Sequence, residues 1–151
     1  MKTLQNYITE KILINKNSKI EYNYHPETKD ELKAIIKQKI ESKGNECNLN
    51  DIDTSNITDM SFLFAYSNFN GDISKWNMSN VTNMSGMFYG SKFNGDISNW
   101  DVSNVTNMAS MFYESVFNSD ISKWDVSNVT NNAYIFFNCP IEEKYKPKFK
   151  K

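Results

Sequence analysis

Arginine is missing from this chain altogether; all 17 basic side chains are lysines. That removes the planar fork that reads guanine or phosphate through paired hydrogen bonds. Histidine occurs once, as His25 ahead of Pro26, with no Cys or Ser partner nearby in sequence. His25 is therefore a poor candidate for the base of a nucleophile–base pair. The five glycines form no phosphate-cradling loop, and no Cys-x-x-Cys or Ser/His/Asp signature appears. No apolar run approaches the length of a membrane span. Met1 to Ile14 lacks the basic head, apolar middle and cleavage site of a secretory signal, so the expected location is cytoplasmic. Cys47 and Cys139 stand at opposite ends of the repeats described below, too far apart in a stacked array to pair. Two lone thiols fit a reducing compartment.

Charge is nearly balanced but unevenly placed. Residues 1–50 carry 9 lysines against 7 acids, residues 51–139 carry 3 against 9, and residues 140–151 carry 5 against 2. An acidic middle disfavours nucleic acid as its ligand.

What the chain does have is a repeat. Trp76, Trp100 and Trp124 each begin a near-copy of one stretch, and a more diverged copy begins at Ile52. The period is 24 residues throughout. A fixed period without insertions means stacked units that share a core, because one unit cannot bury its apolar residues alone. Within each unit the apolar positions recur as Ile73/Trp76, Val81, Met84-x-x-Met87-Phe88 and Phe93. Ile-x-x-Trp-x-Val reads as a short strand. Ser-Gly-Met-Phe-Tyr reads as a helical turn, and Phe-Asn-Gly-Asp as a turn in which Gly or Asn takes positive φ. The expected fold is thus an α/β repeat solenoid, with short parallel strands on one face, short helical turns on the other, and a helical N-terminal cap.

Three segments are expected: a cap over residues 1–48, repeats over 49–139 and a basic tail over 140–151. In the cap, Thr3 to Ile14 has helical spacing, and Lys19 to Tyr24 alternates like a strand. Thr28-Lys-Asp-Glu31 is a capping box, followed by Leu32, Ile35, Ile36 and Ile40 on one helical face, with Gly44 placed to end the helix. The lysine-rich tail reads as a solvated end.

The phrase Trp100-Asp-Val-Ser-Asn-Val-Thr-Asn-Met108 followed by Met111-Phe-Tyr113 resembles the BspA-like (Treponema-type) leucine-rich repeat, over about residues 49–139. The resemblance implies a leucine-rich-repeat fold, adhesion or protein binding, and no enzyme activity. Cys139 is in register with Ser115, Ser91 and Ser67, where such repeats place a buried cysteine.

Three recurring features invite chemistry. The columns Asp72, Asp96, Asp120 and Asp53, Asp101, Asp125 suggest calcium, but each loop supplies few of the 6–8 oxygens that calcium takes. Turn-capping is the expected role, and no metal or cofactor is expected. Asn56, Asn80, Asn104 and Asn128 begin glycosylation sequons. Their recurrence at the repeat period is explained by side-chain ladders that satisfy the turns. The tryptophans could form a sugar-stacking strip, but they share a face with Val and Ile and are expected inside.

The expected function is a non-enzymatic protein-interaction module that acts as a monomer. Its binding face is expected at Asp53, Lys75, Asn77, Asn99, Asp101, Lys123 and Asp125, on the outward side of the strands. One form of this is an intracellular inhibitor from a phage or mobile element, of the anti-CRISPR type. The alternative is a bacterial cell-surface adhesion module.

Overall fold

A computed structural model of the chain describes residues 21–151. The helix expected at Thr3 to Ile14 lies outside the described residues, as do the first two residues of the strand expected from Lys19.

Helix α1 spans Lys29–Lys43. The Thr28 hydroxyl accepts from the Glu31 amide at 3.2 Å. The Glu31 carboxylate reaches one residue further back than a capping box requires, to the Glu27 amide at 2.7 Å. Gly44 follows at φ 87°, donating its amide to the Ile40 carbonyl. Leu32 and Ile36 are buried against the first repeat unit, and so is Lys39. The Lys39 ammonium lies 2.6 Å from Asp51 and 5.1 Å from the centre of the Tyr24 ring. The other Asp51 oxygen accepts from the Asn23 amide at 3.0 Å. A buried ammonium is costly unless paired, and this pairing ties α1 to both the preceding segment and the first unit.

The expected α/β solenoid is not what forms. Among the described residues there is one α-helix, a 3-10 turn at Glu143–Tyr145, and no strand or sheet. The repeat units, called here coils 1 to 4 from residues 52, 76, 100 and 124, meet instead at single parallel bridges. Asp59, Asn83, Asn107 and Asn131 follow one another in this way. The strand reading fails because Ile-x-x-Trp is a corner: the Trp76, Trp100 and Trp124 amides bond back to the carbonyls of Ile73, Ile97 and Ile121. The helical-turn reading fails because φ turns positive at every fourth residue of that segment, at Phe62 and Tyr66, Gly86 and Gly90, Ser110 and Glu114, and Tyr134 and Asn138. Neither a helix nor a strand tolerates that alternation. The leucine-rich-repeat-like strand face expected of the fold is therefore missing among the described residues.

The alternation has a use. The amides of Leu63, Ala65 and Ser67 bond back within coil 1, to Met60, Phe62 and Phe64. The amides of Met60, Phe62, Phe64 and Tyr66 point the other way, to the carbonyls of Asn83, Ser85, Met87 and Tyr89 in coil 2. Coils 2 and 3 repeat the pattern, through Met84, Gly86, Phe88 and Gly90 and then Met108, Ser110, Phe112 and Glu114. Backbone polarity is thus satisfied by a ladder of turns between coils rather than by a sheet.

Apolar columns fill the interior. Phe64, Phe88, Phe112 and Phe136 stack at centroid distances of 5.5–5.8 Å. Phe69, Phe93 and Phe117 form a second stack. Trp76, Trp100 and Trp124 are buried as expected, and each indole N–H donates to a carbonyl 27 residues earlier, at Leu49, Ile73 and Ile97. The glycines of the Phe-Asn-Gly-Asp turns do not take positive φ. They serve close approach: a Cβ on Gly71 would sit 1.9 Å from the Cys47 carbonyl oxygen. The basic end is not merely solvated either. Ile141 and Pro147 are buried, the Tyr145 carbonyl accepts from the Ile121 amide, and the Glu142 amide donates to the Asn118 side chain.

Candidate protein interface

The columns of the repeat fall on two surfaces. The first carries the polar residues singled out from the sequence. Asn77 accepts from the Ser79 amide and hydroxyl at 3.0 and 2.6 Å, and Asp101 accepts from Ser103 in the same way. Asp125 accepts from the Ser127 amide, and Asp53 from the Ser55 amide. Asp53 also meets His25 at 3.3 Å. Their carboxylate and amide oxygens are therefore engaged in holding turns. Lys75, Asn99 and Lys123 occupy the neighbouring column, exposed. Asn99 and Lys123 line a polar groove of about 510 Å³ with Asp96 and Asp120. The surface brings all seven expected residues onto two adjacent columns, but converges none of them on a point.

The second carboxylate column behaves alike: Asp72, Asp96 and Asp120 cap Ser74, Ser98 and Ser122. Bonds from the serine hydroxyl and then the serine amide hold Asp72, Asp96, Asp101, Asp120 and Asp125 below the ordinary carboxylate range. At Asp53 burial acts to raise the value, but the bonds from Ser55 and His25 outweigh it, and the net shift is downward. A carboxylate with a lowered folded value stabilises the fold above its unfolded value, about 3.9 for Asp. That stabilisation is lost as pH falls through the folded value. The thermal midpoint is therefore expected to stay level from about pH 7 to 5 and to fall below about pH 4. Asp101→Asn should match the parent at neutral pH and reduce the acid loss, because Asn77 already makes the same two bonds. A midpoint that rises on acidification would overturn this. Among the described residues no three His, Cys, Asp or Glu side chains gather as a metal-binding group.

The sequons resolve into ladders. Asn80, Asn104 and Asn128 each donate at 2.6 Å to a serine carbonyl of the preceding coil. Thr82, Thr106 and Thr130 do likewise to threonine carbonyls. Cys139 takes the position held by Ser67, Ser91 and Ser115 in the earlier coils, with its thiol 3.6 Å from the Ser115 hydroxyl. Both cysteines are free thiols.

The second surface was not anticipated. On the side of the positive-φ turns, Phe62, Tyr66, Tyr134 and Phe137 are 56, 74, 69 and 45 % exposed. Tyr89 and Tyr113 lie between them, half-buried. Tyr89, Tyr113 and Phe137 stack in series at 4.7 and 4.8 Å, and Tyr66 tilts against Tyr89 at 5.3 Å. Burial and the adjacent Tyr66 hydroxyl raise the Tyr89 phenol above its ordinary value. Phe62, Tyr66 and Tyr134 themselves hold φ of 56–57°. That conformation is unfavourable for a bulky side chain and costs on the order of 1–3 kcal/mol at each position. Gly86 and Gly90 make room beneath, since a Cβ there would run into the Phe62 and Tyr66 rings. A sequence signal existed: the residue after each stacked Phe88, Phe112 and Phe136 is again aromatic.

The fold and its surfaces define a class: a helix-capped stack of 24-residue coils that displays an aromatic row and a separate lattice of capped turns. The family model described as Mycoplasma protein of unknown function, DUF285, matches residues 31–147, most of the chain, and the chain belongs to that family. Neither curated proteins nor solved structures gave a match.

Proposed function

We propose that the protein is a non-enzymatic interaction module that binds a protein partner through its aromatic row. One observation carries this reading: a contiguous line of aromatic rings, exposed at Tyr66, Phe137 and Tyr134 and half-buried at Tyr89 and Tyr113, in which Tyr66 and Tyr134 are held at costly backbone angles. Exposed apolar patches of this kind mark interaction sites, and tyrosine-rich centres dominate binding energy at interfaces. A sugar is the weaker fit. Tyr89, Tyr113 and Phe137 cover one another's faces and turn edges outward, whereas sugars stack on open ring faces. The polar columns of Asp53, Lys75, Asn77, Asn99, Asp101, Lys123 and Asp125 lie on the other surface and fit less well as the centre, because the side-chain oxygens of Asp53, Asn77, Asp101 and Asp125 are already committed to turns. The resemblance to BspA-like repeats points to binding as well. An intracellular inhibitor and a surface adhesion module are the two forms this function takes.

The test is capture by the full chain from bacterial host lysate and, separately, from extracellular matrix protein. It is repeated with Tyr66→Ser, Tyr89→Ser and Tyr113→Ser combined. The captured partner should be lost with the triple variant, by about 2 kcal/mol or more in affinity, while circular dichroism still reports a folded chain. Unchanged capture by the triple variant, with loss on Asp101→Ala plus Lys123→Ala, would move the site to the polar columns.

A further inference from the structure

The ladder of turns stops abruptly at coil 4. In coils 1 to 3 four alternate amides each donate to the next coil. The equivalent amides in coil 4 are those of Asn132, Tyr134, Phe136 and Asn138, and none has a partner among the described residues. The returning segment 140–147 covers a different part of the end, beside Ile121 and Asn118. Phe136 ends its stack half-buried: one face meets Phe112, and the Lys146 ammonium lies over the ring at 5.6 Å.

Proteins usually blunt an open edge with charge, proline or a covering segment. Residues 131–139 contain no charged residue and no proline. Lysines flank the edge instead, at 144, 146, 148, 150 and 151, against Glu142 and Glu143 alone.

We infer that the open edge of coil 4 docks an extended, acidic segment of a partner protein, which adds to the stack as a further rung. The segment's carbonyls, at two-residue spacing, accept from the amides of Asn132, Tyr134, Phe136 and Asn138. An aromatic side chain in the segment continues the Phe64–Phe136 stack and displaces Lys146, whose ammonium, 2.8 Å from Glu143 in the free protein, exchanges that carboxylate for one of the incoming segment. Main-chain bonds supply affinity and the aromatic position supplies specificity, as in other edge additions. The flanking lysines select for acidic sequence and steer the encounter. A second copy of this chain fits less well, because the matching carbonyl edge of its coil 1 lies beside α1, which takes the place of a preceding coil. The inference does not depend on the aromatic row as a binding site.

The probe is a synthetic peptide with the sequence of residues 107–114, the segment whose carbonyls serve coil 2, flanked by two glutamates at each end. A control peptide carries lysines in their place. Amide resonances of the full chain are followed by nuclear magnetic resonance. In the free protein, the amides of Asn132, Tyr134, Phe136 and Asn138 should exchange at least tenfold faster than those of Met108, Ser110, Phe112 and Glu114. The acidic peptide should shift the four together and slow their exchange at least tenfold. The lysine-flanked peptide, and the acidic peptide with Lys146→Glu, should each bind at least tenfold more weakly. Tyr89→Ser plus Tyr113→Ser should leave this binding unchanged, which separates its failure from that of the aromatic-row reading. No shift at millimolar acidic peptide, shifts confined to the aromatic row, or protection of the four amides by self-association in sedimentation would each overturn the proposal.

Discussion

Phe112→Ala should destabilise the chain by about 3–5 kcal/mol, the range for deleting a fully buried aromatic ring. Phe112 is completely enclosed, stacked on Phe88, Phe117 and Phe136. Rigid coils on both sides, tied by amide ladders, leave little room for collapse into the cavity. The loss is a large fraction of a domain's stability of about 5–15 kcal/mol, so the unfolding midpoint in urea should fall steeply. Phe136→Ala should cost distinctly less, because that ring is only half-buried at the end of the stack. Urea unfolding of the two variants measures the difference. Equal losses would mean that the coils do not form one core.

The second large effect concerns the cap. Leu32→Asp combined with Ile36→Asp should abolish cooperative unfolding and drive aggregation. Both side chains are buried within the core cluster that includes Leu49, Ile52 and Phe64. Two carboxylates there have no partner, and burying an unpaired charge costs several kcal/mol. Undocking α1 would also break the Lys39–Asp51 pair. It would uncover coil 1, where the carbonyls of Asp59, Ser61, Leu63 and Ala65 accept no backbone bond among the described residues. An exposed edge of that kind templates association. Size-exclusion chromatography and thermal melting check this; a monomeric variant with the parent's melt would show that α1 is not a cap.

The contrast between what was legible and what was not has a physical origin. The period, the buried Trp, Val, Met and Phe columns, and α1 with its Thr28 cap were all readable, because hydrophobic spacing and capping chemistry are written in residue type. The strands were misread because alternation of inward and outward side chains is not unique to strands. Trp100-Asp-Val102 alternates in burial, yet Trp100 closes a corner onto Ile97. The deciding variable is the sign of φ, and residue type reports it poorly here. The positions equivalent to Gly86 and Gly90 are filled by Phe62 and Tyr66, by Ser110 and Glu114, and by Tyr134 and Asn138. Only coil 2 carries the glycine signature. The aromatic row was missed for a related reason: Tyr89 and Tyr113 follow buried phenylalanines, and a helical turn would have scattered them.

The Trp column makes the coil an indivisible unit of change. Each indole reaches back 27 residues to its carbonyl, while the turn amides reach forward 23. Both links survive if a whole 24-residue coil is gained or lost from the middle of the gene. Loss of a single codon inside a coil would present the wrong set of alternate amides to the neighbour and swing its aromatic columns out of line. Inheritance should therefore lengthen or shorten such chains in whole coils, with the helix-capped end and the returning end left as fixed bookends.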